Sequence, residues 1–136
     1  MRSAMRSALL ATLALAVCGN AGAHHSLAGQ FDVKKTVTIV GVVSRVDWVN
    51  PHIYLHLDVK DEAGKVATWR LEGVPVAMAR KAGVSKSMLL GNGETVTVVA
   101  FPARDGTPHL GFMMKITYPD GHFFQFNPDP RERAAG

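Results

Sequence analysis

Six histidines are the side chains of this 136-residue chain best suited to chemistry, and two of them, His24 and His25, are adjacent. The residues ahead of that pair give it its interest. Arg2 and Arg6 form a positive start, Ala8 to Val17 an apolar middle, and Ala21-Gly22-Ala23 puts small residues at the −3 and −1 positions of a cleavage site. A charged start, a short apolar middle and an A-x-A end together mark a secretory signal peptide. The apolar middle is shorter than the roughly 20 residues of a bilayer span, which argues against an uncleaved anchor. A lipidated Cys18 is disfavoured because a bulky Val17 precedes it. Cleavage after Ala23 makes His24 the first residue. Its α-amine and imidazole can then chelate one Cu(II), and another imidazole completes a flat nitrogen set of the kind this ion prefers. Cleavage one residue earlier gives Ala23-His24-His25. There the third-position histidine binds Cu(II) together with the amine and two backbone nitrogens. Both starts predict copper or nickel, by different geometries. The plainer reading is an exposed histidine pair that merely follows the cleavage site.

His52 and His56 look like a second pair, but their spacing decides against one shared ion. On a strand they lie about 13 Å apart, at ~3.3 Å per residue. Only one of them can join His24 or His25, and His52 is the candidate. Its alternative is packing behind the Asn50-Pro51 turn with a hydrogen bond to backbone. His56 is expected to face solvent beside Tyr54 and Asp58. His109 and His122 sit by turns, as surface residues. Met113 and Met114 offer soft thioethers for Cu(I), but they alternate faces, and Met114, Met78 and Met88 read as core fillers. Ser26 follows two histidines, but adjacency is not a triad. Asp32, Asp47, Asp58 and Glu72 are carboxylates without an evident partner, and Glu72 is expected to cap or flank the helix after Gly73. Gly91-Asn92-Gly93 lacks the lysine and helix of a phosphate loop.

The elements that must position these residues are mostly strands. Lys35 to Trp48 reads as one long strand, with Val37 and Ile39 on one face and Val40, Val42, Val46 and Trp48 on the other. The phase flips around Gly41, which suggests a bulge or bend there. Asn50-Pro51 breaks it. His52 to Lys60 alternates cleanly, with Ile53, Leu55, Leu57 and Val59 buried on one face. After the loop Asp61-Glu62-Ala63-Gly64 comes a third strand, Val66 to Glu72. Pro75 opens a helix with Val76, Ala79 and Ala82 as its stripe and Met78 beside it, ending at Gly83. A second turn covers Lys86 to Leu90. Strands follow at Glu94 to Phe101, Leu110 to Tyr118 and His122 to Phe126. Leu110, Phe112, Met114, Ile116 and Tyr118 are expected on one face.

Three strands, a helix, then two or three strands is the layout of a mostly all-β, small OB-fold-like barrel. A plain sandwich is the runner-up. The domain organisation is a signal peptide at 1–23, an N-terminal segment at 24–34, the barrel at 35–126 and a flexible tail at 127–136. Removal of the signal takes Cys18 with it, which excludes disulfides, a cysteine nucleophile and a zinc-thiolate site in the mature chain. It also takes Arg2 and Arg6, so the formal charge of +4 falls to +2. That mild charge does not support a polyanion binder, and no nucleic acid is expected.

His24-His25-Ser26, Phe31-Asp32, Lys35-Thr36-Val37-Thr38, Gly41-Val42-Val43, Trp48-Val49-Asn50-Pro51-His52 and Trp69-Arg70-Leu71-Glu72 resemble a family of small exported bacterial proteins classed as a domain of unknown function. The family's Gly-Asp before the fourth strand is here Gly93-Glu94. The resemblance implies a periplasmic barrel and no particular activity. The leading expectation is therefore a periplasmic binding module, rather than an enzyme, that binds Cu(II) through His24, His25 and His52. The second is an envelope interaction protein holding a macromolecule or small ligand on a face made by Trp48, Asn50, Tyr54 and His56. A copper oxidoreductase built on an amino-terminal histidine is the third. It would need an open metal position and a substrate groove, and the sequence shows neither.

Overall fold

The computed structural model describes residues 27–126. The signal-like stretch, His24, His25 and the segment 127–136 lie outside the described residues.

A one-turn helix α1 (Leu27–Gln30) leads into β1 (Val37–Trp48), β2 (His52–Lys60) and β3 (Val66–Pro75). Two short helices, α2 (Val76–Lys81) and α3 (Lys86–Leu90), follow. Then come β4 (Thr95–Pro102), β5 (Leu110–Thr117) and β6 (Phe123–Gln125). Sheet order is β3-β2-β1-β4-β5-β6, with neighbours antiparallel. A parallel pairing of Arg70–Glu72 with Leu110–Phe112 closes the first five strands into a barrel. Strand order and the helical link between β3 and β4 are those of the small OB-like barrel. Where β3 leaves β5 to enter α2, β6 takes over that edge of β5 at Lys115–Thr117. Closure and this extra strand cover edges that would otherwise invite pairing with another chain.

The barrel interior is filled by alternate residues of each strand. Ile53, Leu55 and Leu57 of β2, Leu71 of β3, Val96, Val98 and Ala100 of β4, and Met113 and Ile116 of β5 form its centre. Val76 and Ala79 of α2 and Leu89 of α3 plug one end.

The phase change in β1 falls at Ser44 rather than Gly41. Ile39, Gly41 and Val43 point inward, the register with β2 slips between Val43 and Arg45, and Val46 then returns to the core. Val40, expected to share a face with Val46, is 53% exposed while Val46 is buried. Gly41 has a different reason to be glycine: a Cβ there would lie 2.4 Å from the Asp58 carbonyl oxygen. A second register slip, between Val99 and Ala100 of β4, splits β5 in the same way. Ile116 and Tyr118 face the interior, while Phe112 and Met114 face outward into a second cluster with Phe31 and Phe101. Leu27 and Val33 cover that outward cluster. The N-terminal segment is thus bound to the barrel wall. Met78 and Met88, read as core fillers, are instead 54% and 49% exposed, and Ala82 lies exposed at the end of α2.

Candidate functional site

The outward face of β1, β2 and β3 carries the densest set of chemical side chains. Burial of Ile53, Leu55 and Leu57 forces His52, Tyr54, His56 and Asp58 to the other face of β2. Register then decides their neighbours. Tyr54 lies between Asp47 and Glu72, His56 between Arg45 and Arg70, and Asp58 beside Thr68.

Each carboxylate in this array is occupied. Asp47 takes a two-pronged ion pair from Arg45, with Nε–Oδ1 at 3.0 Å and Nη2–Oδ2 at 3.1 Å. The same carboxylate lies 2.8 Å from Nε2 of His56. That hydrogen bond, reinforced by Arg45, holds the Asp47 carboxyl below its ordinary range. Nε2 of His56 is also 3.0 Å from Arg45. With a hydrogen on Nε2, the ring donates to Asp47; without one, it accepts from Arg45. His56 is therefore not a solvent-facing residue: its side chain is 14% exposed, clamped between two charged groups. Asp58 accepts hydrogen bonds from the hydroxyls of Thr68 at 2.7 Å and Ser44 at 3.2 Å.

Glu72 does not cap a helix. It meets Nδ1 of His52, twenty residues earlier in the chain. His52 correspondingly bonds to this carboxylate and not to backbone. Its side chain remains 35% exposed, and its Nε2 has no partner among the described residues. Arg70, like Lys60 at the end of β2, has no carboxylate partner among the described residues. Its guanidinium lies 4.0 Å from the centre of the Tyr54 ring, a cation–π stack that covers that aromatic surface.

Of the residues expected to line a ligand face, the structure brings Tyr54 and His56 together, on one face of β2. Trp48 is half-buried against the barrel core, and Asn50 is exposed at the β1–β2 turn. Arg45 and Arg70 were not singled out in advance, and Asp47 was named only as a carboxylate without an evident partner. Thr68, Arg70 and Glu72 share the parity of an outward strand face, but which side chain each meets depends on register, which one strand does not reveal. His109 sits edge-on to Trp69 with ring centroids 5.4 Å apart. His122 stacks on Tyr118 at 4.4 Å and meets Asp120. Among the described residues no group of three or more His, Cys, Asp or Glu side chains is placed to hold a metal. No helix among them is long and apolar enough to cross a membrane.

Residues 12–112 match a family of unknown function, DUF6152, and the chain belongs to it. No curated protein and no solved structure matches the chain.

Proposed function

We propose that this member of the DUF6152 family is an exported envelope protein that binds Cu(II) through His24, His25 and His52. The observation that carries the reading is the contact between Glu72 and Nδ1 of His52. A carboxylate on one ring nitrogen fixes the tautomer and turns the other nitrogen outward, which is how metal-binding imidazoles are held. The start of the described chain supports it too. Leu27 packs on the outward cluster that contains Phe112, and Phe112 is the register partner of Glu72. The reading requires the three residues ahead of Leu27, which span about 10 Å when extended, to run toward the His52 strand. Two imidazoles and an amine from the N-terminus, with Nε2 of His52, would supply four nitrogens to a tetragonal Cu(II) ion.

The test is the mass and Cu(II) affinity of the protein purified from a periplasm. A start at His24 or Ala23 is expected, with one-to-one binding lost in His24→Ala or His25→Ala. Glu72→Gln should weaken binding about 10- to 100-fold, as removal of such an outer partner does. A different start, or affinity indifferent to both His52→Ala and Glu72→Gln, would end the proposal.

A second reading rests on Arg70. A guanidinium stacked on Tyr54, with no carboxylate of its own, fits an acidic group on an envelope partner or small ligand. Tyr54→Ala would abolish that binding and leave copper uptake intact.

A further inference from the structure

We propose that a cavity of about 350 Å³ between the N-terminal segment and the β4–β5 turn binds a small organic anion with an apolar body, a medium-chain carboxylate. Phe31, Ala103 and Leu110 form its apolar walls, and Gln30, Arg104 and Asp105 its rim. The volume lies at the small end of the ligand-pocket range of ~300–1,000 Å³.

Three features make this a built site. First, its two sides are joined by backbone. Asp32 N–H donates to the Pro102 carbonyl at 2.9 Å, and Arg104 N–H to the Gln30 carbonyl at 2.9 Å. Phe31 and Ala103 form a β-bridge between them. The cavity is therefore formed before any ligand arrives, and binding need not order its walls. Second, the walls are anchored in the outward cluster: Phe31 packs against Phe112 with ring centroids 5.7 Å apart. Third, the rim carries a guanidinium beside a carboxylate that is held to its own turn. The Asp105 carboxylate already accepts from the Thr107 backbone N–H at 2.9 Å and the Thr107 hydroxyl at 2.7 Å. Arg104 has no ion pair or side-chain hydrogen bond among the described residues, so its five N–H donors remain available. An apolar body against Phe31, Ala103 and Leu110, with a carboxylate turned to the guanidinium fork, satisfies both halves of the site. None of these residues is a proposed copper ligand, so the two proposals stand or fall separately.

The probe is octanoate, titrated into the isotopically labelled protein and followed by NMR, with octan-1-ol and acetate as controls. Octanoate should shift the signals of Phe31, Ala103 and Leu110 and saturate. Octan-1-ol lacks the charge and acetate lacks the apolar body, so each should bind more weakly by about tenfold or more, as should Arg104→Gln with octanoate. Arg104→Glu should abolish octanoate binding. Arg104 is exposed, so a matching melting curve will show that each variant is folded. Octan-1-ol binding as tightly as octanoate, an Arg104→Gln variant with unchanged affinity, or saturable shifts confined to another face would each overturn the proposal.

Discussion

Replacing Tyr118 by Phe removes one oxygen and tests how the α3 plug is held. Tyr118 is 3% exposed, and its hydroxyl donates toward the carbonyl oxygens of Met88 at 2.8 Å and Leu89 at 3.1 Å. These belong to the last turn of α3, whose carbonyls have no partner within the helix. Gly91, directly after that helix, lies under the tyrosine ring: a Cβ there would be 2.6 Å from Cε1. Tyr118→Phe leaves both carbonyls without this donor, which costs about 1–2 kcal/mol at a partly wet helix end. For a domain of this size the melting temperature should fall by roughly 4–8 °C per kcal/mol. The pH dependence carries its own signature. Burial, with the Glu94 charge adding to it, pushes the Tyr118 hydroxyl up to about 12 from an ordinary 10. The folded chain thus keeps its proton where the unfolded chain has lost it. That contribution is complete below pH 10 and is lost as pH rises toward 12. Two pH units correspond to ~2.7 kcal/mol, and partial solvation of the hydroxyl end reduces this to about 1–2 kcal/mol. Urea unfolding of both proteins from pH 7 to 11.5 reads the result. The stability gap should be widest near neutrality and close above pH 10. A gap that stays constant to pH 11.5, or is absent at pH 7, would refute the assignment of a buried, donating phenol.

Three further outcomes follow from packing and charge. Gly41→Ala forces a Cβ against the backbone of Asp58, which has no flexible end to yield; β2 must shift, and urea unfolding should show a loss of about 2–4 kcal/mol. An alanine tolerated within 0.5 kcal/mol would mean that the strands do not approach this closely. Phe31→Ala removes the ring that fixes the N-terminal segment to Phe112, and should lower stability by about 3 kcal/mol. It should also expose the chain before β1 to proteases, and unchanged cleavage would contradict that attachment. Asp47, Asp105 and Asp120 are each held below the ordinary carboxylate range, chiefly by hydrogen bonds from His56, Thr107 and the His122 backbone respectively. Their contribution is present above the unfolded value near pH 4 and is lost as pH falls through the folded values. Urea midpoints should hold from pH 7 to 5 and drop below pH 4. The drop should be shallower in Asp105→Asn and Asp120→Asn, and an equal drop in these variants would show that other groups govern acid unfolding.

Much of the barrel was legible in the chain because its signals are local. Alternation in His52–Lys60 names the buried face of β2, Asn50-Pro51 and Asp61-Glu62-Ala63-Gly64 mark its ends, and Pro75 and Gly83 bracket a helix. Their order already implied a closed barrel with a helical insert. The positions of the bulges were not legible. Gly41 looked like a bend by residue type, but the slip occurs at Ser44, because a bulge exists only relative to a partner strand. The same holds for Met114, whose outward turn into a second cluster depends on β4 and on the returning N-terminal segment.

The site divides along the same line. Sequence alone marked His52, Tyr54 and His56 as outward residues of one strand, since side-chain direction alternates with each residue. Only the tertiary structure decided what they meet: Glu72 for His52, Arg70 for Tyr54, and Asp47 with Arg45 for His56. A strand's own residues determine which face is wet. Hydrogen-bonded pairing between strands distant in sequence determines which charges stand side by side.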